Sequence, residues 1–258
     1  HREEASVLAL GMFDGVHIGH QVLLERARTL HLRYGAPVVV CTFARHPMEL
    51  IAPEKAPRLL NTLEERISLI SHAGADVFLA MPFDEQMRDQ PPECYVGELV
   101  RRLHPKAIVC GYNHSFGAGG SGSPALLQAL GGALGFQVSV VPPITLHGQE
   151  VSSTVIRQKL GEGRVAEARA LLGRPYSRRV ELDHQERGWA LRLLDEEKQG
   201  LPAGRYRCVL SAGEQSFPVT VQLDGETGGA LLLSGEEPSL QKSLNEGKGR
   251  LFFWQTAK

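Results

Sequence analysis

Short runs rich in β-branched residues alternate with amphipathic stretches from the start of the chain to about residue 173. This alternation constrains the fold more than any other feature, because βαβ units bury such runs in a parallel sheet covered by helices. The spacing predicts strands over 6–10, 37–42, 77–80, 107–110 and 137–141, with helices over 19–34, 62–73, 92–103 and 124–134 between them. Thr62-Leu-Glu-Glu65 is a capping box at the head of the second helix. Two shorter helices, 154–160 and 164–172, follow the last strand, and Gly173 with Pro175 just beyond closes the second.

From about Arg178 the pattern changes to short alternating segments around 190–194, 205–211, 217–223, 230–233 and 250–254. Ser211-Ala-Gly-Glu, Asp224-Gly225 and Asn245-Glu-Gly-Lys-Gly249 supply turn chemistry between them, so the last third reads as a small antiparallel β module. The fold class expected is therefore α/β with a parallel sheet, residues 1–176, followed by a β-rich module, residues 177–258. A length of 258 residues accommodates both, at roughly 150 residues per domain.

Composition narrows the function. There are 28 Lys+Arg against 29 Asp+Glu, a net charge of −1, and no basic stripe of the kind that neutralises a phosphate backbone. No nucleic-acid partner is expected, and any phosphate site should be local. Cys41, Cys94, Cys110 and Cys208 form no Cys-x-x-Cys, which points to reduced thiols in a cytoplasm rather than a zinc ribbon or a disulfide framework. No apolar stretch approaches the roughly 20 residues that span a bilayer, so no membrane partner is expected. The charged opening, residues 1–5, reads as a trimmed beginning rather than a signal peptide.

The first predicted strand runs into Gly11-Met-Phe-Asp-Gly-Val-His-Ile-Gly-His20 and then at once into a helix. Ligands of α/β sheets bind at the carboxyl ends of strands, where glycine lets backbone approach an anion and a helix N-terminus offers free N–H groups. His17 and His20, three apart, fall on one side of the first turn, where their rings can donate to the phosphate oxygens of a nucleotide. Gly11, Phe13 and Gly15 are expected to line the same site, and Asp14 to brace the turn. The chemistry is electrostatic stabilisation, with no covalent intermediate. His-Ile-Gly-His resembles the His-x-Gly-His pattern of the nucleotidyltransferase superfamily.

A second element is Ser152-Ser-Thr-Val-Ile-Arg157, leading into the predicted helix 154–160. Ser153 is the expected N-cap and Arg157 lies one turn on, so hydroxyls, free N–H groups and a guanidinium form a candidate phosphate clamp. Together with Thr42-Phe-Ala-Arg-His-Pro47, Leu60-Asn-Thr-Leu-Glu-Glu-Arg66, Gly111-Tyr-Asn-His-Ser-Phe-Gly117 and Leu171-Leu-Gly-Arg-Pro-Tyr176, these motifs occur in the order of the prokaryotic FAD synthetases. The chain resembles the adenylyltransferase module of that bifunctional riboflavin kinase/FMN adenylyltransferase family over residues 6–176.

The resemblance implies transfer of AMP from ATP to FMN, giving FAD and pyrophosphate, with Mg²⁺ as the metal. On the matching positions it implies that His17 and His20 stabilise the triphosphate and the five-coordinate α-phosphorus. Ser153, Thr154 and Arg157 would hold the β- and γ-phosphates, and Asn113 would stand near the FMN phosphate and the metal. Phe43, His46 and Pro47 would contribute to the flavin pocket. Two departures are visible: Arg45 stands where the family usually has Pro, and Val155 where many relatives carry a second Arg.

The kinase hallmark Leu-Gly-Phe-Pro-Thr-Ala-Asn does not follow the Gly-Arg-Pro-Tyr junction; the chain continues Arg178-Arg-Val-Glu-Leu-Asp-His184. The β module is thus expected to be a degenerate or replaced kinase domain, kept for packing or for contacts in a homo-oligomer. Gly117-Ala-Gly-Gly-Ser-Gly122 matches a dinucleotide fingerprint in letters only, because Tyr112–Phe116 separate it from its strand, and it reads as a mobile loop at the substrate mouth. His104, His114 and His147 lack zinc-ligand spacing, and Phe252, Phe253 and Trp254 read as packing residues of a terminal strand. Two other readings stay open: another small-molecule adenylyl- or cytidylyltransferase, and a non-catalytic flavin- or nucleotide-binding paralogue.

Overall fold

Strand β1 (Ser6–Leu10) is buried along its whole length, as a central strand covered on both faces must be. In the computed structural model, which describes residues 5–185, 188–225, 229–234 and 247–257, it is flanked by β2 (Val38–Phe43) and β4 (Pro105–Gly111). With β3 (Val77–Met81) and β5 (Gln137–Val141) at the edges, the order is β3-β2-β1-β4-β5. All pairings are parallel. Alternate residues of β1 point to opposite faces. Val7 and Ala9 pack with Leu23, Leu24 and Ala27 of α1 (Ile18–Tyr34) and Ile70 of α3 (Leu63–His72). Leu8 and Leu10 pack with Tyr95 and Leu99 of α5 (Pro92–Leu103) and Leu127 of α6 (Pro124–Leu134).

Two short helices escaped the periodicity, α2 (Met48–Ile51) and α4 (Glu85–Asp89), since neither is long enough to show a repeat. A minimal hairpin, β6 (Thr145–Leu146) with β7 (Gln149–Glu150), ends this part.

The chain divides into two compact units. The first holds the residues up to Pro57 and Leu63–Glu150; the second holds Arg58–Thr62 and the residues from Val151 on. In the second unit, α7 (Ser153–Gly161) and α8 (Val165–Leu172) precede the β module.

That module is a closed antiparallel barrel of β8 (Tyr176–Gln185), β9 (Gly188–Leu193), β10 (Gly204–Ala212), β11 (Gln215–Leu223), β12 (Gly229–Ser234) and β13 (Lys248–Thr256). Its order is β10-β11-β12-β9-β8-β13, so no strand edge is left open. Inward residues of β10 and β11 meet as register partners: Tyr206 with Val221, Cys208 with Val219, Leu210 with Phe217. The Ser211-Ala-Gly-Glu turn joins them through Gly213 (φ 59°) and Glu214, with Ala212 opposite Gln215. Part of the Asn245–Gly249 turn and the charged opening residues lie outside the described residues.

Strand β8 went unrecognised in the sequence because its inward alternation is Tyr176, Arg178, Val180, Leu182, with an arginine where an apolar residue is expected. Arg178 is buried against Asp195, which also explains why it is tolerated there. Phe253 faces the barrel interior, while Trp254 lies outside with the Arg169 guanidinium 4.7 Å above its ring.

Candidate active site

Where β1 ends, Gly11 donates its N–H to the Cys41 carbonyl at 3.3 Å. The chain then turns through Phe13 (φ 53°), Gly15 (φ 83°) and Val16 (φ 37°) before His17 opens α1. Left-handed backbone at a phenylalanine and a β-branched valine is strained by about 1–3 kcal/mol per residue and needs support from its surroundings. Support is present. The Phe13 ring is fully buried, Val16 N–H bonds the Phe13 carbonyl at 3.1 Å, and Gln21 Nε2 donates to the Val16 carbonyl at 3.0 Å.

Thr42 Oγ1 and Arg66 Nη1 both donate to the Met12 carbonyl, at 2.9 and 3.0 Å. Arg66 Nη2 donates to the Ala44 carbonyl at 3.0 Å, so one guanidinium, only 2% exposed, braces the exits of β1 and β2 together. Burial draws its pKa down, and the Asp14 carboxylate partly opposes this. In the sequence Arg66 closes the Leu60–Arg66 motif with nothing local to give it a role. Its partners lie 54 and 22 positions away, beyond the reach of local pattern.

His17 is itself the N-cap of α1: its Nδ1 accepts the His20 N–H at 3.3 Å. An accepting Nδ1 places the ring proton of neutral His17 on Nε2, which is then a donor. The His17 and His20 rings stack with centroids 3.7 Å apart and planes 16° from parallel, and the Phe13 ring lies 5.1 Å from His20. The paired imidazoles thus sit at the positive end of a 17-residue helix whose first N–H groups lack intrahelical partners.

Leu10 and Cys110 are register partners, so Gly11 and Gly111 leave neighbouring strands side by side. Strand connections diverge at this point, β1 leading to β2 on one side and β4 lying on the other, which defines the crevice where doubly wound sheets bind ligands. Asn113 follows β4 in an exposed turn in which His114 N–H bonds the Gly111 carbonyl at 3.1 Å. A Cβ on Gly111 would come within 3.3 Å of Asn113 Oδ1. His114 stacks over Phe116 at 5.6 Å and 27°, and burial pushes its pKa down to about 4.

The glycine-rich stretch beyond, expected as a mobile loop, is pinned. Phe116 and Gly122 exchange backbone hydrogen bonds of 3.3 and 2.8 Å, and Ala118 N–H donates to the Gln90 carbonyl at 2.7 Å. Gly117 (φ 71°) lies so near Pro92 that a Cβ would approach its Cα to 2.6 Å. Close approach and left-handed backbone, rather than a phosphate, account for the glycines here.

Of the residues assigned to the flavin by resemblance, Phe43 ends β2 and meets Phe83 edge to face at 5.0 Å. His46 Nδ1 accepts the Met48 N–H at 3.2 Å, and Pro47 is the N-cap of α2. Arg45 is exposed. A cavity of about 590 Å³ between β3 and α5, lined by Leu79, Met81, Met87, Tyr95 and Leu99 among others, includes none of the predicted site residues.

In the second unit the N-cap of α7 is Ser152, whose Oγ accepts the Val155 N–H at 3.3 Å, and not Ser153. The one-residue shift makes Ser153 the first helical residue, with Thr154 exposed beside it. Arg157 Nε donates to the Arg58 carbonyl at 2.7 Å.

Among the described residues no three His, Cys, Asp or Glu side chains gather as a metal cage. Mg²⁺ keeps several waters and binds substrate phosphates as readily as protein. The donor available at the β4 exit, the neutral amide oxygen of Asn113, suits a Mg²⁺ that arrives on a nucleotide. No helix among the described residues is long and apolar enough to cross a membrane.

The FAD synthetase family model matches residues 1–155. The chain belongs to the FAD synthetase family. It is 35% identical over 176 residues to the bifunctional riboflavin kinase/FMN adenylyltransferase of Escherichia coli (strain K12), covering 68% of this chain and 56% of that protein. The enzyme of the same description from Listeria monocytogenes is 31% identical over 182 residues, 70% of this chain and 58% of the relative. The chain thus spans little more than half the length of these curated relatives. A solved structure described as a macrolide-efflux protein from Streptococcus pneumoniae has a TM-score of 0.85 at 22% identity, covering 100% of this chain and 87% of that one, and shares the fold. His17, His20 and Asn113 lie within the family match, and Arg157 just beyond it.

Proposed function

We propose that this FAD synthetase-family module is an FMN adenylyltransferase without riboflavin kinase activity, its adenylyltransferase motifs ending near residue 176. The observation that carries the reading is the stacked His17–His20 pair at the switch point between β1 and β4, with Asn113 on the adjoining strand exit.

In the reaction an oxygen of the FMN phosphate attacks the α-phosphorus of ATP. The P–O bond to the β-phosphate breaks and pyrophosphate leaves. A phosphate monoester is already largely a dianion at neutral pH, its second pKa being about 6, so the nucleophile needs no general base. What the protein must supply is positioning and charge stabilisation at the α-phosphorus. His17, with its proton on Nε2, is a preorganised donor for that purpose, and its orientation is held by the His20 N–H. The strained Phe13–Val16 turn and its Arg66 brace keep both imidazoles at the helix terminus.

Family resemblance assigns the β- and γ-phosphates to Ser153, Thr154 and Arg157 and the flavin to Phe43, His46 and Pro47, while Gly11, Phe13 and Gly15 would line the same site from the strand-exit turn. Asn113 would be a ligand of the Mg²⁺ that accompanies ATP, where the ion neutralises phosphate charge. The kinase hallmark segment does not follow the Gly-Arg-Pro-Tyr junction, which supports the absence of riboflavin kinase activity.

Incubation with ATP, FMN and Mg²⁺ should give FAD and pyrophosphate by chromatography, and riboflavin in place of FMN should give no FMN. Tight FMN binding without FAD would replace this reading with a flavin-binding role.

A further inference from the structure

Residues Arg58–Thr62 leave the α/β unit and join the second unit, although the chain on both sides belongs to the first. Leu59 pairs in parallel with Lys198: its N–H donates to the Glu197 carbonyl at 3.0 Å, and Gln199 N–H donates to the Leu59 carbonyl at 2.7 Å. Arg58 Nη1 donates to the Glu196 carbonyl at 2.5 Å, and Arg174 Nη2 to Asn61 Oδ1 at 3.2 Å.

The turn that receives this strap is rigidly founded in the barrel. Asp195, fully buried, accepts from Arg178 Nε at 2.6 Å and from the Arg179 N–H at 3.0 Å. Lys198 Nζ donates to the Ser177 carbonyl and Tyr176 Oη to the Gln199 carbonyl, both at 2.6 Å. At the other end, the carbonyl of Arg58 accepts Arg157 Nε at 2.7 Å.

We propose that the barrel, having no kinase motif, acts as the positioning element of Arg157: turn 195–199 holds the strap, and the strap carbonyl at Arg58 sets the plane of the Arg157 guanidinium. Planarity is what makes an arginine's recognition of phosphate directional, so tying Nε orients the whole fork. This inference rests on Arg157 binding ATP phosphates, as assigned above.

The test is a double-mutant cycle. Leu59→Pro removes the N–H given to Glu197, and Tyr176→Phe keeps the ring and removes the hydroxyl that donates to the Gln199 carbonyl. Either should weaken ATP, read as KM and as Kd for a non-hydrolysable ATP analogue, by about tenfold and about threefold respectively, with KM for FMN unchanged. In an Arg157→Ala background both effects should vanish, because the group they act through is gone.

Full, additive effects in that background, or an equal rise in KM for FMN, would overturn the inference. If Leu59→Pro does not fold, judged by thermal melting, Tyr176→Phe alone decides. Failure of the wild-type protein to make FAD refutes the proposed function but leaves the analogue-binding cycle readable.

Discussion

The two units bury polar groups in opposite ways. In the α/β unit the strand interiors are apolar, and Asp14, His17, Thr42 and Arg66 are buried together where β1 and β2 leave the sheet. In the second unit Arg178, on the inward side of β8, is buried with Asp195 and Lys198, and the three answer one another by ion pairs of 2.6 and 3.7 Å. In the first arrangement Thr42 and Arg66 give their donors to the backbone carbonyls of Met12 and Ala44, and this bracing holds His17 and a helix terminus at a crevice. The second is satisfied internally. Buried polarity marks a binding site only when it stands at an opening in the fold; elsewhere it is architecture.

The largest expected effect tests the barrel half of this contrast. Asp195→Ala leaves two buried cations without their anion and should cost about 3–5 kcal/mol of stability in urea unfolding. If it costs no more than an ordinary surface change, the network is not what holds turn 195–199.

His17→Ala should do the reverse. Loss of one preorganised donor lowers kcat for FAD formation by about 10²–10³, while unfolding should report only the lost cap, about 1 kcal/mol. A large fall in stability with little change in kcat would move His17 into the architectural class.

The third test concerns His114, held neutral at the β4 exit with a pKa near 4. Above the unfolded-state pKa of about 6.5 its burial carries no proton penalty. As pH falls from 6.5 toward 4 the unfolded chain takes up the proton first, and stability drops by up to about 3 kcal/mol. His114→Phe should flatten that limb of the stability profile; an unchanged slope would show that other groups produce it.

Smallest is the cap of α7. Ser152→Ala should cost about 1 kcal/mol by thermal melting, and Ser153→Ala less, if Ser152 is the capping residue.

Much of the candidate site's local geometry was legible because its signals are local. A β-branched run, a glycine-bracketed turn and two histidines three apart state a strand, a sharp exit and a helix terminus within fifteen residues, Ser6–His20. The α7 motif was legible too, but its cap was displaced by one residue, since consecutive serines offer the same hydroxyl and only the backbone conformation at Ser152 chooses between them. Arg66 was not legible as a brace, nor was the strap at Arg58–Thr62, because both act through carbonyls far off in the chain.

What the sequence determined by itself was the class of each half: a parallel sheet whose first strand leaves through a glycine-bracketed turn with two histidines, then short antiparallel strands with glycine turns such as Gly213. Periodicity and turn chemistry are properties of neighbours along the chain, and they survive without knowledge of the fold. The tertiary structure alone decided that β4 lies beside β1, bringing Asn113 to the same crevice as His17, and that β8 turns an arginine inward to close a barrel. Those outcomes depend on which strands pair and on whether a distant partner such as Asp195 is present to neutralise a buried charge. No local pattern encodes either.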